Sequence, residues 1–141
     1  MRGEYKSTLD AKGRMNFPVK LREELGDVFM VSKTVDDKNK SLTLYTMEDW
    51  DELENKINSL PSVKTKGLRR YLITSSYEIE PDKQGRALIP QPLREFAGLK
   101  EDIVIVGVGK RAEIWDKAAW DDMNGSMDLA ELTQTAIELD I

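Results

Sequence analysis

The sequence predicts an α+β, β-rich fold made of two tandem copies of one small module with flanking helices. Three observations predict it. The first is an internal repeat: Leu9-Asp10-Ala11-Lys12-Gly13-Arg14 returns as Pro81-Asp82-Lys83-Gln84-Gly85-Arg86. Asp10 and Asp82, Gly13 and Gly85, Arg14 and Arg86, and Pro18 and Pro90 all share an offset of 72 residues. Beyond proline, Leu21-Arg22-Glu23 aligns with Leu93-Arg94-Glu95, and Gly26 with Gly98. A fixed period of this kind marks duplicated structural units. The second observation is that short apolar runs bounded by turn residues flank both loops, which is strand patterning. The third is that apolar stripes at helical spacing follow those runs.

In order, Tyr5 to Leu9 reads as a short strand. Asp10 at the head of the loop bonds the backbone two residues on, and Gly13 accepts positive φ, so the chain turns there. Arg14 to Phe17 returns, with Met15 and Phe17 alternating against Arg14 and Asn16. Pro18 fits a helix start, where no amide hydrogen is needed. The helix runs to Leu25, with Leu21 and Leu25 on one face, and Gly26 stops it. Val28 to Val31 and Leu42 to Tyr45 are strands around the polar hairpin loop Asp36 to Lys40.

The second copy repeats this order. Tyr77 to Glu80 leads into the Asp82 loop, Ala87 to Ile89 returns, and a helix spans Pro90 to Ala97. Ile103 to Val106 and Ala112 to Trp115 are the last strands. Offsets shift to 75 at Asp27/Asp102 and to 70 at Tyr45/Trp115 and Trp50/Trp120, changes that loops tolerate. Thr46 heads a helix carrying Met47, Trp50, Leu53 and Ile57, with Asp49 completing an approximate capping box. Leu60-Pro61 ends it. A connecting helix runs from about Leu68 to Ile73 and carries Arg69-Arg70. Asp116 is expected to cap the matching helix of Trp120 and Met123, broken at Asn124-Gly125. Ser126 is expected to cap a final acidic helix bearing Leu129, Leu132, Ala136 and Leu139. The Trp and Met stripes read as core or subunit contacts. The division is a first module over residues 1–60, a connector over 61–75, a second module over 76–123 and a tail over 124–141.

The protein has 141 residues, 40 % of them hydrophobic, enough for a real core. No apolar run approaches the length of a membrane span, the first residues lack a signal-peptide pattern, and there is no cysteine. A cytoplasmic protein is expected. Net charge is −5, yet it is unevenly spread. Arg2, Lys6, Lys12, Arg14, Lys20 and Arg22 against Glu4 and Asp10 make residues 1–22 positive by 4. Three basic against ten acidic side chains make residues 101–141 negative by 7.

Enzyme chemistry has little support. There is no histidine, the usual general base near neutral pH. No residue cluster has metal-ligand spacing, and no glycine pattern cradles a phosphate. Asp10 and Asp82 each lie near an arginine, which favours the ionised form and an ion pair. No catalytic residue, metal or cofactor is expected. Arg14 and Arg86 present planar forks that pair with Asp10 and Asp82, or with a phosphate or guanine edge. The two roles are compatible, because a held arginine is preorganised. Lys12 and Lys83 flank the turns as point charges. Candidate DNA-binding residues are therefore Lys12, Arg14, Lys83 and Arg86, with Asp10, Gly13, Asp82 and Gly85 structuring the loops.

Arg2-Gly3-Glu4-Tyr5, the two Asp-x-x-Gly-Arg loops, Pro90, Leu93-Arg94-Glu95, Val104-Ile105-Val106-Gly107-Val108-Gly109 and Glu113-Ile114-Trp115 resemble the MraZ family over nearly the whole chain. That family is similar to the AbrB-like transcription factors, whose swapped-hairpin barrel is normally made by two chains. The resemblance implies that tandem AbrB-like modules form one pseudo-twofold β-barrel within this chain. The family's Asp-x-x-x-Arg signature is matched by Asp10 with Arg14 and Asp82 with Arg86. Lys12 has Gln84 as its counterpart, with Lys83 one place earlier, a departure between the copies.

The resemblance further implies a nucleoid-associated repressor. It would bind double-stranded DNA as a ring-shaped homo-oligomer, on direct repeats in its own promoter ahead of the division and cell-wall gene cluster. It implies neither membrane nor small-molecule substrate. Two rivals stay open: an antitoxin-type interaction module that binds a protein, and a binder of a phosphorylated ligand through Asp10, Arg14, Asp82 and Arg86.

Overall fold

A computed structural model describes all 141 residues. It is an α+β structure with a mainly antiparallel sheet and several helices. The first copy supplies β1 (Glu4–Thr8), β2 (Arg14–Asn16), α1 (Val19–Leu25), β3 (Phe29–Lys33), β4 (Leu42–Thr46) and α2 (Met47–Asn58). The connector is α3 (Ser62–Leu68) running into a π-helical turn, Arg69–Ile73. The second copy supplies β5 (Tyr77–Ile79), β6 (Arg86–Leu88), α4 (Gln91–Phe96), β7 (Asp102–Gly107), β8 (Ala112–Asp116) and α5 (Lys117–Gly125), and α6 (Leu129–Glu138) ends the chain.

Six strands form one sheet in the order β1-β7-β8-β4-β3-β5, and β2 and β6 form a separate ribbon. The copies interleave. The first strand of each copy pairs antiparallel with the third strand of the other: Tyr5 lies opposite Ile105, and Ile79 opposite Phe29. Neither copy pairs all of its strands with itself.

Burial explains why the strands read as they do. One face of the large sheet carries Phe29, Val31, Leu42, Leu44, Ile103, Ile105, Ala112 and Ile114. Met15, Phe17, Leu21 and Leu25 of the first copy and Ala87, Ile89, Leu93 and Ala97 of the second pack on it as one core. Phe17 and Phe29 stack with ring centroids 5.0 Å apart. The opposite face is covered by the helical codas. Trp50 and Ile57 of α2, with Leu72, lie on Met30 and Tyr45, and α5 lays Trp120 and Met123 on Val104, Val106 and Trp115. With both faces covered, β3 and β7 are apolar runs rather than alternating strands. The stripes of α2 and α5 thus fill two satellite cores within the chain.

Helix ends show where local signals were outcompeted. Thr46 accepts the Asp49 amide at 3.0 Å, the expected cap. Asp116 precedes α5, but its carboxylate instead accepts the Lys100 amide at 3.1 Å, tying the α4–β7 connection to β8. Helix α5 runs through Asn124-Gly125, and Ser126 caps its end by donating to the Met123 carbonyl. The cap of α6 is Asp128, which accepts from the Ala130 and Glu131 amides. A carboxylate is a stronger acceptor than the hydroxyl two residues earlier. Pro61 opens α3, so the connecting helix begins at Ser62 rather than near Leu68. Gly26, at φ +89°, ends α1 as expected.

Phe29 is fully buried where both copies meet the sheet. Phe29→Ala is expected to lower unfolding free energy by about 3–5 kcal/mol in a denaturant titration, with one transition, since both copies share that core.

Candidate nucleic-acid interface

Each loop is closed by its aspartate. Asp10 Oδ1 accepts the amides of Lys12 and Arg14, both at 2.9 Å, and Oδ2 accepts Arg14 Nε at 2.9 Å. In the second loop Asp82 Oδ1 accepts the amides of Gln84 and Arg86 at 2.9 Å, and Oδ2 accepts Arg86 Nε at 3.0 Å. Asp is suited to this work because its short carboxylate reaches two amides ahead without leaving its own turn. The backbone closes the same ring twice, with Gly13 N–H donating to the Asp10 carbonyl and Gly85 N–H to that of Asp82.

These bonds set the charge state. The Arg14 amide, followed by its guanidinium and the Lys12 amide, holds the Asp10 carboxyl below its ordinary value. The Arg86 amide, then its guanidinium and the Gln84 amide, does the same for Asp82. Each arginine commits Nε to this pair and leaves both terminal amino groups without a partner in the chain. Each arginine side chain is one-third exposed. The fork is held at its base and open at its end, where it can take a bidentate acceptor.

The two loops are also fastened to each other. β2 and β6 pair antiparallel, with Arg14 opposite Leu88, Met15 opposite Ala87 and Asn16 opposite Arg86. Phe17 N–H donates to the Gly85 carbonyl and Ile89 N–H to the Gly13 carbonyl, both at 2.9 Å. Alternation sends Met15 and Ala87 into the core. Arg14, Asn16, Arg86 and Leu88 therefore share the outer face of one two-stranded ribbon. Lys12, Lys83 and Gln84 are exposed at the turns beside it. The ribbon thus brings Lys12, Arg14, Lys83 and Arg86 to one region.

Four further residues belong to this surface. Asn16 is exposed, and Leu88, its counterpart at the 72-residue offset, is 55 % exposed between polar neighbours. The two arginines of the Leu-Arg-Glu repeat cross between copies. Arg94, whose Nε donates to the Ile89 carbonyl at 2.9 Å, lies over the first loop: a Cβ at Gly13 would sit 2.6 Å from its Cζ. Arg22 lies beside the second loop, 3.8 Å from where a Gly85 Cβ would be. The repeat alignment already marked Arg22 and Arg94, but only the folded structure shows that each meets the loop of the opposite copy; the ribbon register adds Asn16 and Leu88.

Two outcomes follow from this geometry. Both loop glycines sit at positive φ, +87° and +78°, so Gly85→Ala should cost about 1–2 kcal/mol. Gly13→Ala should cost about 1 kcal/mol more, because it also dislodges Arg94 from the Ile89 carbonyl. In an Arg94→Ala background the two substitutions should cost alike in thermal or denaturant unfolding. Because folding depresses both carboxyl pKa values, their contribution to loop order is complete above the ordinary carboxylate pKa. It is lost as pH falls through the lower, folded values. The amide resonances of Arg14 and Arg86 should accordingly titrate with midpoints below 3.8; midpoints at or above it would contradict the bonding described.

The chain matches the family described as "MraZ protein, putative antitoxin-like" over residues 1–68 and 72–140. A protein of Acetivibrio thermocellus named "Transcriptional regulator MraZ" is 43 % identical over 130 residues, covering 91 % of this chain and 89 % of that one. Proteins of the same name from Thermoanaerobacter pseudethanolicus and Clostridium botulinum are 39 % and 44 % identical. The first covers 99 % of this chain and 98 % of its own length, the second 88 % and 87 %. A solved solution structure from Pyrococcus horikoshii aligns over 79 % of this chain and 85 % of that one, at 14 % identity and a TM-score of 0.33, a likeness too slight to add to these. No helix is long and apolar enough to cross a membrane. With both repeats matched and relatives alike over nearly their full length, the chain belongs to the MraZ family.

Proposed function

We propose that this protein is a transcriptional regulator that binds double-stranded DNA through the outer face of the β2–β6 ribbon and its two loops. The observation that carries the reading is the placement of Arg14 and Arg86 on one face, each held by an aspartate through Nε with its terminal amino groups unused. A two-stranded ribbon is narrow enough to enter the major groove. Arginine forks there take guanine edges or phosphates, and Lys12 and Lys83 add phosphate contacts. Relatives named as transcriptional regulators support the same class of function.

In this reading the interleaved strands are the two halves of one swapped-hairpin barrel of the AbrB type. Modules lie at residues 1–60 and 76–123, a connector at 61–75 and an acidic tail at 124–141. Its duty is to give two loops a fixed spacing. Asn16 and Leu88 break the twofold likeness of the reading face. An amide pairs with adenine and an apolar tip packs on a thymine methyl, so the two halves of one subunit's site differ in sequence.

Few cations per subunit make single-subunit binding weak. A ring of copies on successive repeats raises effective concentration and strengthens binding by about 10²–10⁴ without new contacts. We place this assembly on direct repeats in its own promoter, ahead of the division and cell-wall gene cluster, as a nucleoid-associated repressor in the cytoplasm.

Fluorescence-anisotropy titration of a repeat-bearing promoter fragment across a salt series tests the interface. Arg14→Ala and Arg86→Ala should keep the wild-type circular dichroism spectrum and each weaken binding by about 1–3 kcal/mol per contacted half-site. Lys12→Ala and Lys83→Ala should weaken all sequences evenly and lower the salt slope by about 1 per lost phosphate contact. Asn16→Ala and Leu88→Ala should relax sequence preference while leaving the salt slope in place. Normal binding by both arginine variants would overturn the interface.

A further inference from the structure

The two loops are alike in their internal bonds, yet only the first is covered. Ile89 holds it through both of its own peptide groups. Its N–H donates to the Gly13 carbonyl, and its carbonyl accepts Arg94 Nε, both at 2.9 Å. Arg94 therefore lies across Gly13 so closely that a Cβ there would meet its guanidinium at 2.6 Å. Ile89 is buried, so this cover is anchored in the core. On the other side Phe17 N–H donates to the Gly85 carbonyl in the same way, also at 2.9 Å. Arg22 holds the place of Arg94 in the repeat. No side chain donates to the Phe17 carbonyl as Arg94 does to that of Ile89, and Arg22 comes no nearer than 3.8 Å to a Gly85 Cβ.

The helices that carry the two arginines explain the difference. At the entry of α4, Pro90 and Pro92 fix two φ angles. Gln91 Nε2 then donates to Glu95 Oε1 at 3.0 Å, bracing the first turn. At the far end Phe96 is wedged between two other elements. Lys33 Nζ of β3 lies 5.0 Å from its ring centroid, and Tyr71 of the connector meets it edge-on at 6.3 Å. At the 72-residue offset α1 has Val19 for Gln91, Lys20 for Pro92 and Glu24 for Phe96, all three exposed. Helix α4 is thus the more firmly fixed platform, and it delivers Arg94 to one place.

We infer that Arg94 is a positioning residue for the first loop, that the second loop has no counterpart, and that the two loops therefore meet DNA in different states. The first is set before contact, with Arg14 already aimed. The second takes its final form as it binds. Arg94 acts through the Gly13 backbone and the Ile89 carbonyl, not through its charge. Ordering that is complete before contact need not be supplied by binding, which is worth roughly two- to tenfold in affinity. This rests on the reading that the loops contact DNA, and it assigns the two loops unequal parts in that contact.

Arg94→Gln separates a brace from a phosphate contact. The side-chain nitrogen of glutamine stands at the same place along the chain as arginine Nε, so the bond to the Ile89 carbonyl is kept and the charge is lost. Arg94→Ala loses both. Backbone ¹⁵N relaxation of the free protein is read first. The amides of residues 11–14 should be more rigid than those of 83–86. Arg94→Ala should bring the first loop to the mobility of the second, and Arg94→Gln should hold it near wild type. In anisotropy titrations on a repeat-bearing duplex, Arg94→Ala should weaken binding roughly two- to tenfold with an unchanged salt slope, and Arg94→Gln should recover most of that loss. If Arg94→Ala does not keep the wild-type circular dichroism spectrum, Arg94→Gln against wild type carries the test alone. Two loops of equal mobility in wild type would overturn the inference. So would an Arg94→Gln protein that binds poorly with its salt slope lowered by about 1, the mark of a phosphate contact. A wild type whose loops differ in mobility but which binds no duplex would uphold the brace and overturn the DNA reading.

Discussion

The pairing of β2 with β6 is the constraint on which the rest depends. Each strand is three residues long and would be marginal alone. Two extra backbone bonds, from Phe17 to Gly85 and from Ile89 to Gly13, clamp the loop of one copy to the strand exit of the other. Met15 and Ala87 beneath the ribbon are completely enclosed, so the ribbon cannot lift without opening the core. The consequence is geometric. Arg14 and Arg86, 72 positions apart in sequence, become diagonal neighbours on one face. Pro18 and Pro90 then send the chain into α1 and α4, whose arginines return to the opposite loops.

Net charge and local charge point in different directions here, and the structure shows how they coexist. The two loop carboxylates are spent on their own turns, each accepting two amides and one Nε. They neutralise part of each arginine while fixing its position, so the ribbon trades raw charge for orientation. Part of the surplus acid, Asp121 and Asp122, lies in α5, which packs on the sheet face opposite the ribbon. On the proposed function, a surface of this kind would draw nucleic acid weakly from a distance. Its binding would then depend on geometry and on the number of copies engaged.

The repeat made much of this legible in advance. One offset located both loops, both short helices and their stops, and the Asp-x-x-x-Arg spacing foretold a carboxylate reaching its own arginine. Pairing partners were not legible, because an antiparallel ladder between Tyr5 and Ile105 leaves no local trace at either end. Arg94 over Gly13 was hidden for the same reason: the contact spans copies. Cap positions failed where a tertiary partner competed, as when the Lys100 amide took the carboxylate of Asp116. The stripes of α2, α5 and α6 looked alike in sequence. Only packing separates the first two, closed against the sheet, from the third, which stands clear of it.

Hydrogen-exchange mass spectrometry of the intact protein, with and without a repeat-bearing promoter duplex, reads the ribbon and its two loops without any substitution. Slowed exchange is expected in peptides covering residues 10–17 and 82–89 together, with residues 62–74 of the connector unchanged by DNA. Protection centred on the connector's Arg69 and Arg70 with both loops unaffected would contradict it. So would protection of one loop alone, because the ribbon presents the two as a single surface.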